Sequence, residues 1–394
     1  MKMLSSLFSN YRFILGLYIV LAVAAGTQGI LLSPKKVEGH PAPVTNYNNY
    51  IIFKQSYFHL IDKKDLYIHH PQDHFDLYKY SPAFSLFFSI FAYLPDWAGL
   101  NFWNLLNALV FLAAVYYLPG LGTRQKKFIL LVCAVEMMTC MQNEQSNGLV
   151  AGLLILAFGL LERDKYPAAA FCIAATIFIK VLGVAAFSLF LFYPAKWKLA
   201  LYSLLWILLF SFIPLLVVDF SQLKFLYSSW GNLLANDFSG SYGLSVINWL
   251  KTWFGLNLNK TAVILAGAII YCIPLLKFKS YKNYSFRLHL LASLLIWVVI
   301  FNHKAESPTF IIAISGVAIW YFSQNRNAVN LALFIAAFIL ASLSPTDIFP
   351  RSIRENWVVP FVLKAVPCII IWLKIVYEML FDKIKPRLTA ESIV

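Results

Sequence analysis

Apolar runs of membrane-spanning length recur along almost the whole chain, and nothing else constrains its fold as strongly. A helix of about 20 apolar residues matches the hydrocarbon thickness of a bilayer. Such runs stand near residues 12–32, 100–118, 127–141, 147–161, 166–180, 183–195, 198–218, 260–276, 287–301, 308–323, 328–344 and 357–378. Only 13% of the 394 residues are charged, against about a quarter in soluble domains. The runs are continuous and do not alternate, which excludes a lipid-facing β-barrel. The expectation is an all-α polytopic membrane protein of about twelve transmembrane helices, a single integral-membrane domain over residues 1–394. Several runs are short and must tilt, kink or be buried by neighbours.

The net charge of +14 does not point to nucleic acid, because no basic domain carries it. Lys and Arg fall in small clusters between the runs, as they do in cytoplasmic loops. Segment 81–96 is also apolar but is bracketed by Pro82 and Pro95. If it does not cross, the inner loops receive Arg124, Lys126 and Lys127; Arg163 and Lys165; Lys196 and Lys198; Lys277, Lys279, Lys282 and Arg287; Arg326; and Lys383, Lys385 and Arg387. Lys2 and Arg12 then lie inside as well. If it did cross, every later loop would flip and the positive-inside bias would invert. Segment 81–96 is therefore read as a re-entrant or interfacial helix within a long first outer loop, 33–99, with 219–259 as a second outer loop and both termini cytoplasmic. The first run is read as an uncleaved helix, since it continues to Leu32 past the small residues of a signal-like 14–25. Cys133, Cys140, Cys172, Cys272 and Cys368 lie in or beside apolar runs and read as small hydrophobes.

With that topology the unusual polar residues collect on one side. The stretch from Thr45 to Phe84 holds Asp62, Asp65, Asp73 and Asp76, and His59, His69, His70 and His74, among many tyrosines. It is either a ligand-holding surface beside the membrane or a solvated loop. Asn302 to Pro308 interrupts two apolar runs with His303, Lys304 and Glu306, either a phosphate and proton site or a hairpin with a Lys–Glu pair. Gln142 to Gly148 is a polar patch with one acid, fit for sugar hydroxyls or for capping helix ends. Lys180 ends the run IAATIFIK and either meets a phosphate or snorkels. Asp237 to Gly243, with Trp230, Trp249 and Trp253, reads as an interfacial loop, and Glu136 within a run reads as a relay group or a helix–helix hydrogen bond. No His/Cys cluster has zinc spacing, so no metal is expected, although His69, His70 and His74 lie close in sequence. The inner loops carry no Gly-rich nucleotide motif, which argues against a nucleotide-activated substrate inside. No internal repeat supports a transporter built from inverted halves.

Four motifs follow one another in order on that side. They are Asp65-Leu66-Tyr67 with Tyr80-Ser81-Pro82, then Gln142 to Gly148, then Ile179-Lys180, then Ser307-Pro308. From about residue 12 to 345 the chain resembles the bacterial polyprenol-phosphate-dependent mannosyltransferases, glycosyltransferase family 87 of the GT-C superfamily. The resemblance implies a GT-C-like bundle in the cell (inner) membrane with its site outside the cytoplasm. It implies a polyprenyl-phosphate sugar as donor, a glycolipid or glycan as acceptor, an inverting transfer and no cofactor. Membrane lipids are the remaining expected partners, and nucleic acid is not one. The implied binding residues are Asn46, Tyr80, Gln142, Asn147, Lys180, His303 and Lys304. The family's D-x-x-x-Y acid falls here on Asn46, an amide that cannot act as a base, so Asp65, Asp76 and Glu306 stay open as the catalytic carboxylate. The family's histidine pair after the SP turn is also missing, Thr309 and Phe310 standing there. The alternative is a lipid or glycolipid transporter or binding protein with the same polar vestibule and no transfer chemistry.

Overall fold

The computed structural model describes residues 11–38, 43–236, 242–325 and 327–381. Residues 237–241 of the interfacial loop lie outside them, as do Lys2, Arg326, Lys383, Lys385 and Arg387. Among the described residues the elements are helical, with one isolated bridge between Lys35 and Val44. In chain order they are α1 (Tyr11–Leu31), α2 (Asn48–Ile61), α3 (Pro82–Phe87), α4 (Ser89–Ala92), α5 (Asp96–Tyr117), α6 (Thr123–Gln142), α7 (Asn147–Leu161) and α8 (Tyr166–Ile179). There follow the 3-10 helix α9 (Val181–Phe192), then α10 (Lys196–Phe212), α11 (Phe220–Asn236), α12 (Val246–Phe254) and α13 (Lys260–Cys272). The last are α14 (Tyr284–Ile300), α15 (Phe310–Ser323), α16 (Ala328–Ala337) and α17 (Val366–Phe381). Three stretches, Tyr11–Leu31, Asp96–Tyr117 and Lys196–Leu216, are long and apolar enough to cross a membrane. Shorter apolar helices of 10–17 residues occupy most of the remaining runs.

Segment 81–96 forms α3 and α4 and packs on α2. Ser81 caps α3 by accepting from the Phe84 N–H at 3.2 Å, and Pro82 takes the first helical position, where its missing donor costs nothing. At 1.5 Å per residue Pro82–Ala92 reaches about 16 Å, roughly half an apolar bilayer core.

Helix α7 is the centre of the packing. Every residue from Asn147 to Leu161 is buried except Leu156. It lies between α5 and α8, with α15 against another face. A Cβ on Gly152 would stand 2.9 Å from the Phe111 backbone nitrogen, so only glycine lets α5 approach this closely. The same device joins α14 to α15, where a Cβ on Gly316 would meet the Ala292 carbonyl at 2.6 Å. Helix α10 is the opposite case. It turns Leu201, Leu204, Leu205, Leu208, Leu209 and Phe212 outward. A helix that exposes a continuous apolar stripe is built for lipid, not water.

The ends of the bundle differ in chemistry. At one end Arg287 holds Glu162 with two hydrogen bonds, Nε to Oε1 at 2.6 Å and Nη2 to Oε2 at 2.7 Å. The Tyr193 hydroxyl donates to the same carboxylate at 2.6 Å, and Lys277 closes on the carbonyls of Met379 and Leu380 at 3.0 and 2.9 Å. These groups satisfy one another. The opposite end gathers residues 142–147, Lys180, Tyr80 and the 301–307 turn.

Removing one partner of the Glu162–Arg287 pair strands a charge that is mostly out of water. Glu162→Ala is expected to cost about 3 kcal/mol, read as a lowered melting temperature in detergent. The double change Glu162→Leu with Arg287→Leu is expected to recover much of it. An unchanged melt in the single variant would mean the pair does not hold this end.

Candidate active site

The polar turn between α6 and α7 is held from several sides. Glu144 takes a left-handed backbone conformation, φ +48°, which non-glycine residues adopt rarely and only under constraint. Its carbonyl accepts from Trp103 Nε1 at 2.7 Å. Its buried carboxyl accepts the backbone N–H of Asn49 in the first turn of α2, and burial raises its pKa well above the usual range. On the neighbouring helix, Asn107 Oδ1 accepts the Leu149 N–H at 2.8 Å. This closes one of the orphan donors at the start of α7.

That turn presents three consecutive polar side chains. The Tyr80 hydroxyl donates to Gln145 Oε1 at 3.3 Å and accepts from Ser146 Oγ at 3.2 Å. Asn147 Oδ1 accepts from Lys180 Nζ at 2.6 Å. Lys180 sits in the turn between α8 and α9, and its Nζ lies 5.9 Å from the centre of the Tyr80 ring. Burial draws its pKa down to about 8, against the upward pull of Cys140 and Glu306. The exposed Glu306 carboxylate is thus within electrostatic reach of Lys180, and it also raises the Tyr80 hydroxyl. Asn147 Nδ2 is buried with no hydrogen-bond partner. An ammonium held by a single neutral acceptor, beside an amide donor with nothing to bind, suits an anion.

The fold therefore joins Tyr80, Asn147, Lys180 and Glu306 of the residues read from sequence. Gln145 and Ser146 complete the group. They lie inside the Gln142–Gly148 motif, and their contact with Tyr80 depends on the turn geometry that Glu144 imposes.

The remaining residues read from sequence make other contacts. Asn46 Nδ2 donates to the carbonyls of Leu32 and Ser33 at 3.1 and 2.7 Å. Its amide ties down the end of α1, work that only a donor can do. Gln142 Nε2 donates to Gln28 Oε1 at 2.7 Å. Asp65 accepts from Ser229 Oγ at 2.9 and 2.8 Å and from the Tyr67 N–H at 3.0 Å. It thereby fastens the segment between α2 and α3 to α11. Asp76 is exposed, has φ +76° and accepts from its neighbour Leu77 N–H at 2.7 Å. His303 and Lys304 are partly buried in the 301–306 turn, where the Lys304 N–H donates to Asn302 Oδ1 at 2.9 Å. Glu136, the acid within a run, pairs with Lys364 at 2.8 Å.

A second polar cluster lies where the segment between α2 and α3 folds back on α2. His59 Nε2 and Asp73 Oδ2 are 2.9 Å apart, and the His59 and His70 rings lie 3.9 Å apart. Burial lowers the pKa of His59 and brings His74 to about 4.

The Asn147 acceptor favours the charged form of Lys180, so its loss lowers the pKa further. In Asn147→Leu the pH midpoint for acylation of Lys180, followed by peptide mass spectrometry, is expected to fall below about 8. A midpoint that stays put would mean the amide does not hold the ammonium.

No curated protein matches the chain. The family model described as glycosyltransferase family 87 matches residues 78–301. That stretch runs from the Tyr80 segment through the polar turn and Lys180 to the end of α14, so it carries all of the site but Glu306. With more than half of its length matched, this chain belongs to glycosyltransferase family 87.

Proposed function

We propose that this membrane glycosyltransferase moves a mannose-like hexose from a polyprenyl-phosphate donor to a glycolipid or glycan acceptor, with inversion, on the non-cytoplasmic face of the cell membrane. The observation that carries the reading is the pairing of a cation and a carboxylate at one end of an apolar bundle. Lys180 is held by Asn147 at 2.6 Å, with Glu306 in electrostatic reach. A lipid-phosphate donor needs a positive charge where its phosphate leaves, because negative charge builds there in the transition state. Lys180 serves that role, and Asn147 Nδ2 is the neighbouring donor. Glu306 is the base. It takes the proton of the acceptor hydroxyl, the acceptor oxygen bonds to the sugar's anomeric carbon, and the bond to the phosphate oxygen breaks with its electron pair leaving on the lipid phosphate. Tyr80, stacked on Phe84 and tied by its hydroxyl to Gln145 and Ser146, packs beside the cation and holds the polar turn in place.

Two features favour Glu306 over the other acids. It is exposed, so a substrate can reach it, and it acts on the same groups that bind the donor. Asp65 is committed to Ser229, and Asp76 to its own turn. The about 16 Å length of Pro82–Ala92 supports a segment that lies in the outer interface and does not cross. The apolar runs then give about twelve crossings, with the polar turn, Lys180 and the 301–307 segment on one face.

Purified protein in lipid, given radiolabelled polyprenyl-phosphate mannose and a membrane glycolipid extract, is expected to form a labelled product. Donor that binds and is never transferred to any acceptor or from any sugar would overturn the reading. Glu306→Gln is expected to lower turnover by about 10²–10⁴-fold with little change in melting temperature, whereas Asp65→Asn and Asp76→Asn retain the chemical step. Full activity in Glu306→Gln would remove it as base.

The pH profile follows from Lys180. Its charge is present below about pH 8 and is lost as pH rises through that value. Transfer is expected to fall on the alkaline side of about 8, and Lys180→Arg, whose guanidinium stays protonated, is expected to move that limb upward. An alkaline limb that is identical in both proteins would exclude Lys180 as its source.

A further inference from the structure

The first outer loop carries a group of side chains that the transfer chemistry does not use. His59, at the end of α2, stands 14 residues before Asp73, a separation that hides the pair from any reading of sequence spacing. The fold returns the loop so that one ligand-type atom from each of His59, His70 and Asp73 lies within 4.8 Å of the other two. Two of the contacts have the form of outer-shell support. His70 Nε2 donates to the Asp65 carbonyl at 2.7 Å, which leaves its Nδ1 with a lone pair. His74 Nδ1 donates to the Asp76 carbonyl at 2.9 Å. The other nitrogen of His74, Nε2, is buried and has no partner. The His74 ring lies 5.9 Å from that of His59 and 6.0 Å from that of His70.

Two imidazoles at 3.9 Å, a carboxylate in contact with one of them and a third imidazole with an unused buried nitrogen make an expensive arrangement for the end of α2 and the irregular segment that follows it. A buried polar nitrogen left unbonded carries an uncompensated desolvation cost. A cation bound among these groups would remove that cost and use the ring nitrogens that the carbonyls leave free. Metal-bound histidines characteristically donate their second N–H to a carbonyl or carboxylate, as His70 and His74 do here.

We infer that His59, His70 and Asp73, with His74 as fourth ligand, form a binding site for a divalent transition metal of the zinc class. Imidazole-rich sites select such ions over Mg²⁺ and Ca²⁺, which prefer oxygen. A tetrahedral ion with bonds of about 2.0–2.2 Å holds its ligands roughly 3.3–3.6 Å apart, so binding draws the loop side chains together. Asp73 is exposed and provides the way in. The ion is structural: it fastens residues 62–81 to α2, and that segment carries Asp65, which grips α11, and Tyr80, which meets the polar turn.

The test uses full-length, tag-free protein in detergent, stripped with chelator, loaded with zinc chloride and desalted. Metal analysis is expected to find one zinc per chain, with Mg²⁺ not retained. Zinc is expected to raise the melting temperature and slow tryptic cleavage at Lys63, Lys64 and Lys79. His70→Ala and Asp73→Ala are expected to weaken zinc binding by at least about 100-fold, while His69→Ala, a change at the exposed neighbour, leaves it intact. Asp73 is exposed, so its variant is expected to fold whatever happens on changing His59. No retained zinc, or retention that His70→Ala and Asp73→Ala do not reduce, or a loss that His69→Ala shares, would each overturn the site.

Discussion

A helix with almost no free surface fixes the rest of this molecule. Helix α7 is enclosed by α5, α8 and α15, and close packing admits α5 only because Gly152 has no side chain. Its first residue, Asn147, is buried along with its core. The amide that meets Lys180 is set on a packed element, and its position is inherited from side chains deep in the bundle. Binding groups placed this way hold their geometry better than groups on free loops.

The all-helical character was legible in the sequence, because an apolar layer forces every backbone group in it into a helix. The runs read at 147–161, 166–180 and 308–323 match α7, α8 and α15 with its leading turn to within a residue. The irregular parts were less legible. Val181–Phe192 is equally apolar, yet it winds as a 3-10 helix after the extended Lys180. Hydrophobicity alone does not distinguish the two windings.

The candidate site was legible in its residue types and not in its pairings. The Gln142–Gly148 motif supplies side chains that the fold brings to Tyr80 and Lys180, but which amide meets the ammonium follows from the turn around Glu144. Before that turn Gln142 meets Gln28, and after it Asn147 meets Lys180. Asp65 reads as a free acid until the chain returns 164 residues later with Ser229. Asn46 reads as a lost base, yet its two donated hydrogen bonds show a post that a carboxylate would fill badly. In each case the decisive partner comes from a distant part of the chain.

The lone neutral partner of Lys180 has a consequence for proton counting. A lysine near its midpoint at about pH 8 is only partly protonated in mildly alkaline solution. An anion arriving beside it stabilises the charged form, so the amine takes a proton from the solvent as the anion docks. Association at that pH is then coupled to a fractional proton uptake. The heat of binding varies with the ionisation enthalpy of the buffer, and departure of the anion returns the proton. On the proposed role of Lys180, proton exchange with bulk water belongs to the binding step and precedes the breaking of any sugar bond.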